Sequence, residues 1–140
     1  MKSEVHSLSG YITTAVDPSL PYDRNNCVPK ALTALTGEPY KQVDDYLKAR
    51  GRKKGKGTPH KASRSFLQDR GFVQLPTPSL AKRYPGGVVR KMKVASFAKA
   101  FPKGKFVVYV RGHAVAVING QILDDWNSSS RVVKEAWEVK

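Results

Sequence analysis

The chain has 140 residues, 40% of them hydrophobic and 26% charged, with 25 Lys and Arg against 11 Asp and Glu for a formal net charge of +14. A composition this close to the globular average, at this length, supports one core that buries roughly two thirds of the unfolded surface, which excludes disorder of the whole chain. A single cysteine excludes an internal disulfide framework, and one Cys with three His in unrelated places does not supply a structural zinc site.

The opening MKSEVHSLSG lacks an apolar signal region, no stretch approaches 18 consecutive apolar residues and neither end carries a lipidation motif. The expectation is a soluble protein of a reducing compartment, cytoplasmic, in the host cell if a phage encodes it, with no membrane partner. The first segment, to about Arg24, is broken by Pro18 and Pro21 and reads as an irregular lead-in with a short strand at Tyr11 to Val16. A helix begins at Asn25 or Asn26, both good caps, runs through Cys27, Ala31, Leu32 and Leu35, and stops at Gly37, with Pro29 harmless in its first turn. A second helix opens near Glu38-Pro39, carries Val43, Tyr46 and Leu47 on one face and ends before Gly51. Thr58-Pro59 caps a third, with Phe66 and Leu67 as its apolar face before Gly71.

The period then changes. Phe106 to Val110 and Ala114 to Ile118 are rich in β-branched and aromatic residues, and Asn119-Gly120 before Gln-Ile-Leu is a strong hairpin signal. Arg131 to Val139 adds a looser strand. Helices first and antiparallel strands afterwards predict an α+β fold, in one domain spanning 1–140, since no linker long enough to divide it is present.

Charge is concentrated in the middle. From Tyr46 to Leu123 there are 18 basic residues and one acid, Asp69. The run Arg50-Gly-Arg-Lys-Lys-Gly-Lys-Gly57 is interrupted by glycines and reads as a mobile basic loop at about 50–57. Lys82, Arg83, Arg90, Lys91, Lys93, Lys99, Lys103 and Lys105 surround loop signals at Pro85-Gly86-Gly87 and Pro102-Lys-Gly104. Such runs hold phosphates, steer an acidic partner, or merely solubilise the surface.

Three residues carry chemistry. Cys27 falls at a helix N-terminus, where unpaired N–H groups and the helix dipole favour a thiolate. His113 starts a strand after Gly112. A two-residue Asn119-Gly120 turn pairs Ile118 with Gln121, which places Val115 opposite Asp124 and His113 opposite Trp126, all four on one face. Asp124 is then a diagonal neighbour of His113 and can hold the imidazole while the other ring nitrogen faces Cys27, the arrangement of a catalytic triad. Each residue alone has a plainer reading, as core cysteine, structural histidine or turn aspartate; their conjunction favours a site.

The order Cys, His, Asp, with Cys27 in Asn25-Asn-Cys-Val-Pro-Lys-Ala-Leu and His113 in Gly112-His-Ala-Val-Ala-Val before Ile122-Leu-Asp-Asp-Trp-Asn-Ser, resembles the papain-like cysteine peptidases, particularly compact bacterial and phage members. The resemblance covers roughly residues 22–37 and 106–129. It implies a papain-like fold with N-terminal helices packed on a C-terminal antiparallel sheet, and a hydrolase that attacks an acyl carbon through Cys27 with no cofactor and no metal. In that family a Gln about six residues before the cysteine stabilises the oxyanion; here that position is Pro21, and of Asp23, Asn25 and Asn26 the preferred substitute is Asn25, with the Cys27 N–H as second donor. Trp126 is a candidate wall of the cleft, and Arg52, Lys53 and Lys54 of the basic loop are candidates to bind an acidic protein or peptide substrate. The alternative is a small basic module on an inactive papain-like fold that binds nucleic acid or an acidic protein, with Tyr84, Phe97 and Phe101 as stacking surfaces. The oligomeric state is not legible.

Overall fold

Three helices begin where prolines stop the preceding chain or sit in the first turn, and each buries one stripe. The computed structural model describes residues 27–53, 55–124 and 128–139. In α1 (Cys27–Thr36) the buried side chains Val28, Ala31, Leu32 and Leu35 follow the spacing of a single helical face. Gly37 then takes a positive φ of 74° and donates its N–H to the Thr33 carbonyl, ending the helix. Helix α2 (Tyr40–Lys48) follows Pro39 and buries Val43, Asp44 and Leu47; α3 (His60–Asp69) follows Pro59 and buries Ala62, Ser63, Phe66 and Leu67. All three match the sequence expectation to within a few residues. The expected strand at Tyr11 to Val16 lies outside the described residues.

The strands form two antiparallel sheets. Five of them, β1 (Val73–Gln74), β4 (Lys105–Val110), β5 (His113–Ile118), β6 (Gln121–Leu123) and β7 (Glu135–Glu138), pair in the order β1-β7-β4-β5-β6. Asn119 at φ 50° and Gly120 at φ 78° make the β5–β6 turn, and Ile118 faces Gln121 as the dipeptide predicts. The looser strand expected over Arg131 to Val139 narrows to β7, with an isolated bridge between Lys93 and Val132 before it. The second sheet is a ribbon of β2 (Ala81–Arg83) and β3 (Val89–Lys91), turned by Pro85–Gly87. Its turn is the loop signal of the sequence; its strands are too short and too charged to announce themselves.

Strand β4 divides the interior. Val107 and Tyr109 join Leu32, Leu35, Val43, Leu47, Phe66, Leu67 and Trp137 in a core under α1, α2 and α3. Phe106, Val108 and Val110 join Val115, Val117, Ile122 and Ala136 in a second core on the other face. That second core is covered by α4 (Val94–Ala100), which the sequence reading did not anticipate, and by Leu80 and Met92 at the root of the ribbon. Phe97 and Phe101 stack on each other and against Phe106, so they are core aromatics and not the stacking surfaces proposed for them; of that trio only Tyr84 is exposed. The protein is thus α+β, four helices on a five-stranded antiparallel sheet among the described residues. None of these helices is long and apolar enough to cross a membrane.

Candidate active site

The register of β5 and β6 sets the first half of the site. Its last ladder pair is Ala116 with Leu123. One pair further along, Val115 comes opposite Asp124, and the Asp124 carboxylate reaches diagonally to His113. The Nε2 atom of His113 lies 2.9 Å and 2.8 Å from the two carboxylate oxygens. Both side chains are nearly enclosed, with 10% of His113 and 5% of Asp124 exposed.

Helix α1 supplies the second half. It packs across β5 and β4, which brings its half-buried first residue, Cys27, to the end of the sheet where β5 begins. Cys27 and His113 line one cavity of about 490 Å³, together with Gly57, Thr58, Ser63, Tyr109, Glu135 and others. Burial pushes the His113 imidazole towards its neutral form. The carboxylate of Asp124 and the sulphur of Cys27, both accepting from the ring, outweigh that and raise it from 6.5 to about 9.

The opposite wall was not foreseen. Glu135 opens β7 directly across from Tyr109 and receives Arg64 Nη2 at 2.8 Å and His60 Nε2 at 3.2 Å. Burial raises the Glu135 carboxyl, and the Arg64 and Trp137 hydrogen bonds overcome this to hold it below the usual range. The Tyr109 hydroxyl bonds the Ser63 hydroxyl, and burial pushes the phenol's ionisation up, so it remains protonated. The residues just before Glu135 do not alternate polar with apolar, so nothing in the sequence marks where β7 begins or which residue faces Tyr109; only the β4–β7 register reveals it.

The basic loop requires a correction. Arg52 is 2% exposed, its guanidinium Nη1 2.6 Å from the Asp44 carboxylate, while its backbone N–H bonds the Leu47 carbonyl. It ties the segment to α2 and is not presented to a substrate. A guanidinium is kept inside a protein only when paired, and Asp44 sits one turn of α2 from Lys48, which adds a second cation at 2.9 Å. Lys53 is exposed and does not line the cavity; Lys54 lies outside the described residues, as do Asn25 and Trp126. The cations that do line it are Arg111 and Lys134, both exposed and, among the described residues, without an ion-pair partner. Among the described residues no three His, Cys, Asp or Glu side chains gather where they could hold a metal ion. No protein-family model, curated protein or solved structure matches this chain.

Proposed function

We propose that the protein is a cysteine hydrolase of papain-like design, a peptidase or isopeptidase acting through an acyl-thioester. The observation that carries the reading is the imidazole of His113, held through Nε2 by a buried carboxylate while it lines one cavity together with Cys27 at the start of α1. Nucleophile, base and orienter arrive from a helix N-terminus, a strand start and the adjacent strand.

The chemistry follows from these positions. The Cys27 thiolate adds to the substrate carbonyl carbon, forming a C–S bond while the π pair moves to oxygen. The N–H groups at the start of α1, with Asn25 as side-chain donor, stabilise that oxyanion. The intermediate collapses as His113 gives its proton to the departing amine, leaving the thioester. Water then attacks the thioester carbon, giving a proton to His113, and the acid leaves as the C–S bond breaks and the thiolate returns. Asp124 holds the ring in one orientation throughout and favours its cationic form. Arg111 and Lys134 at the cavity fit an acidic substrate, because among the described residues the one carboxylate in that wall, Glu135, is already occupied by Arg64 and His60.

Alkylation of Cys27 by iodoacetamide as a function of pH tests the reading. An isolated thiol reacts with a midpoint near 8.5, whereas one paired with an imidazolium keeps reacting well below pH 7. Fast labelling that persists at acidic pH in the wild type and is lost in His113→Ala is the expected result. Slow labelling with the ordinary thiol profile, the same in both proteins, refutes the hydrolase reading.

A further inference from the structure

The β2–β3 ribbon carries a charge arrangement that nothing among the described residues explains. Lys82 stands directly opposite Arg90 across the two strands, and like charges in that position are destabilising. Arg83 and Lys91 occupy the other two ladder positions, opposite Val89 and Ala81, so each face of the ribbon bears two cations. Lys93 continues the series. All five are exposed, and among the described residues none has an ion-pair partner. Lys82 lies over the exposed ring of Tyr84, its Nζ 5.5 Å from the centroid. The ribbon contains no carboxylate. Leu80 and Met92, joined by a 2.8 Å backbone hydrogen bond, anchor its root in the core opposite to the one that Cys27 packs against.

We propose that this ribbon is a binding site for duplex nucleic acid, engaged through the phosphate backbone and independent of Cys27. Charge on both faces distinguishes this partner from an acidic protein. A protein interface has a desolvated core from which charged residues are depleted; the exposed apolar side chains of the ribbon, Tyr84, Val88 and Val89, are interrupted by cations, Val89 sharing its face with Arg83 and Lys91, and do not form such a core. The major groove of a duplex admits a two-stranded ribbon, and its two phosphate walls satisfy both faces when the ribbon enters edge-on. The cross-strand repulsion between Lys82 and Arg90 is then relieved by the ligand. Contacts of this kind carry no base information, so sequence preference is weak.

The test is the salt dependence of binding to a fluorescent duplex of arbitrary sequence, measured by anisotropy with the full chain. Each cation that meets a phosphate adds about 0.9 to the slope of log K against log salt. Replacing Lys82, Arg83, Arg90 and Lys91 by Gln together is expected to flatten that slope by about 2 to 3.6 and to weaken binding at least about tenfold at low salt. A matched variant with Lys53, Lys56, Lys99 and Lys103 changed to Gln has the same net charge and is expected to flatten it by less than about 1. Iodoacetamide labelling of Cys27 is the same in wild type and ribbon variant and reports that the fold is intact. The proposal is overturned by absence of duplex binding at low salt, or by equal losses in the two variants, which would assign binding to net charge alone. Poly-glutamate that binds the wild type more tightly than the duplex does, and loses that binding in the ribbon variant, would assign the ribbon to an acidic protein instead.

Discussion

Replacing Asp124 by Asn keeps the shape of the side chain and deletes its charge, and the consequence is calculable. His113 is raised from 6.5 to about 9 in the folded protein, with burial opposing and the Asp124 and Cys27 hydrogen bonds prevailing. A shift of that size corresponds to about 3 kcal/mol in a fully shielded site. Solvent at the cavity mouth screens the pair and leaves about 1–2 kcal/mol. The sign follows from the direction. Because the folded protein binds the proton more tightly, this stability is complete below pH 6.5 and is lost as pH rises through about 9. Urea unfolding of wild type and Asp124→Asn at pH 6 and pH 10 measures it, the difference between the two proteins cancelling the pH dependence of the other cations. The stability gap is expected to be about 1–2 kcal/mol larger at pH 6 than at pH 10. In NMR titrations the His113 ring, identified by its loss in His113→Gln, should titrate near 9 in the wild type and at least about one pH unit lower in the variant. A wild-type midpoint at 6.5, or a gap that does not change with pH, refutes the coupling.

Two further outcomes are expected. Asp44→Ala leaves the enclosed Arg52 guanidinium without its carboxylate and should destabilise the fold by about 3 kcal/mol in urea unfolding; a loss under about 1 kcal/mol would show that Arg52 simply swings out to water. If Arg111 and Lys134 set the charge preference of the cavity, their joint replacement by Gln should lower the ratio of Cys27 labelling rates for an anionic against a cationic methanethiosulfonate by about fivefold, with Lys103→Gln changing it by less than about twofold. Equal changes in both would trace the preference to overall charge.

Much of the helical half and the hairpin was legible because their signals are local. Pro39, Pro59 and Gly37 mark boundaries within a turn of the residues they govern, and Asn119-Gly120 fixes a register that carries Asp124 to His113 without any other information. What was not legible depends on distant partners. The burial of Arg52 is decided by Asp44, and the place of Glu135 by its pairing with Tyr109 across β4 and β7. Helix α4 has no side-chain cap, since the residue at its N-cap, Lys93, carries no hydrogen-bond acceptor in its side chain, and its Phe97 is spaced from Phe101 as readily for a surface as for a core. The ribbon escaped for a related reason: three-residue strands made mostly of Lys and Arg have the composition of a loop, and pairing is all that distinguishes them.

The position of β7 in the sheet governs the order of assembly. Strands β4, β5 and β6 are joined by short turns and can form by local zipping, but among the described residues β1 borders only β7, and β7 is the last strand in chain order. Residues 73–74 therefore have no edge among the described strands to join until residues 135–138 have docked against β4. This is a closure of long sequence separation, and its loop entropy must be met before its contacts form, which makes it a slow step. Glu135 and Lys134 enter the cavity wall at that same step. Cys27 and His113 can meet in a nascent α1–β5 unit, yet the cavity they line is completed only when the final strand is in place.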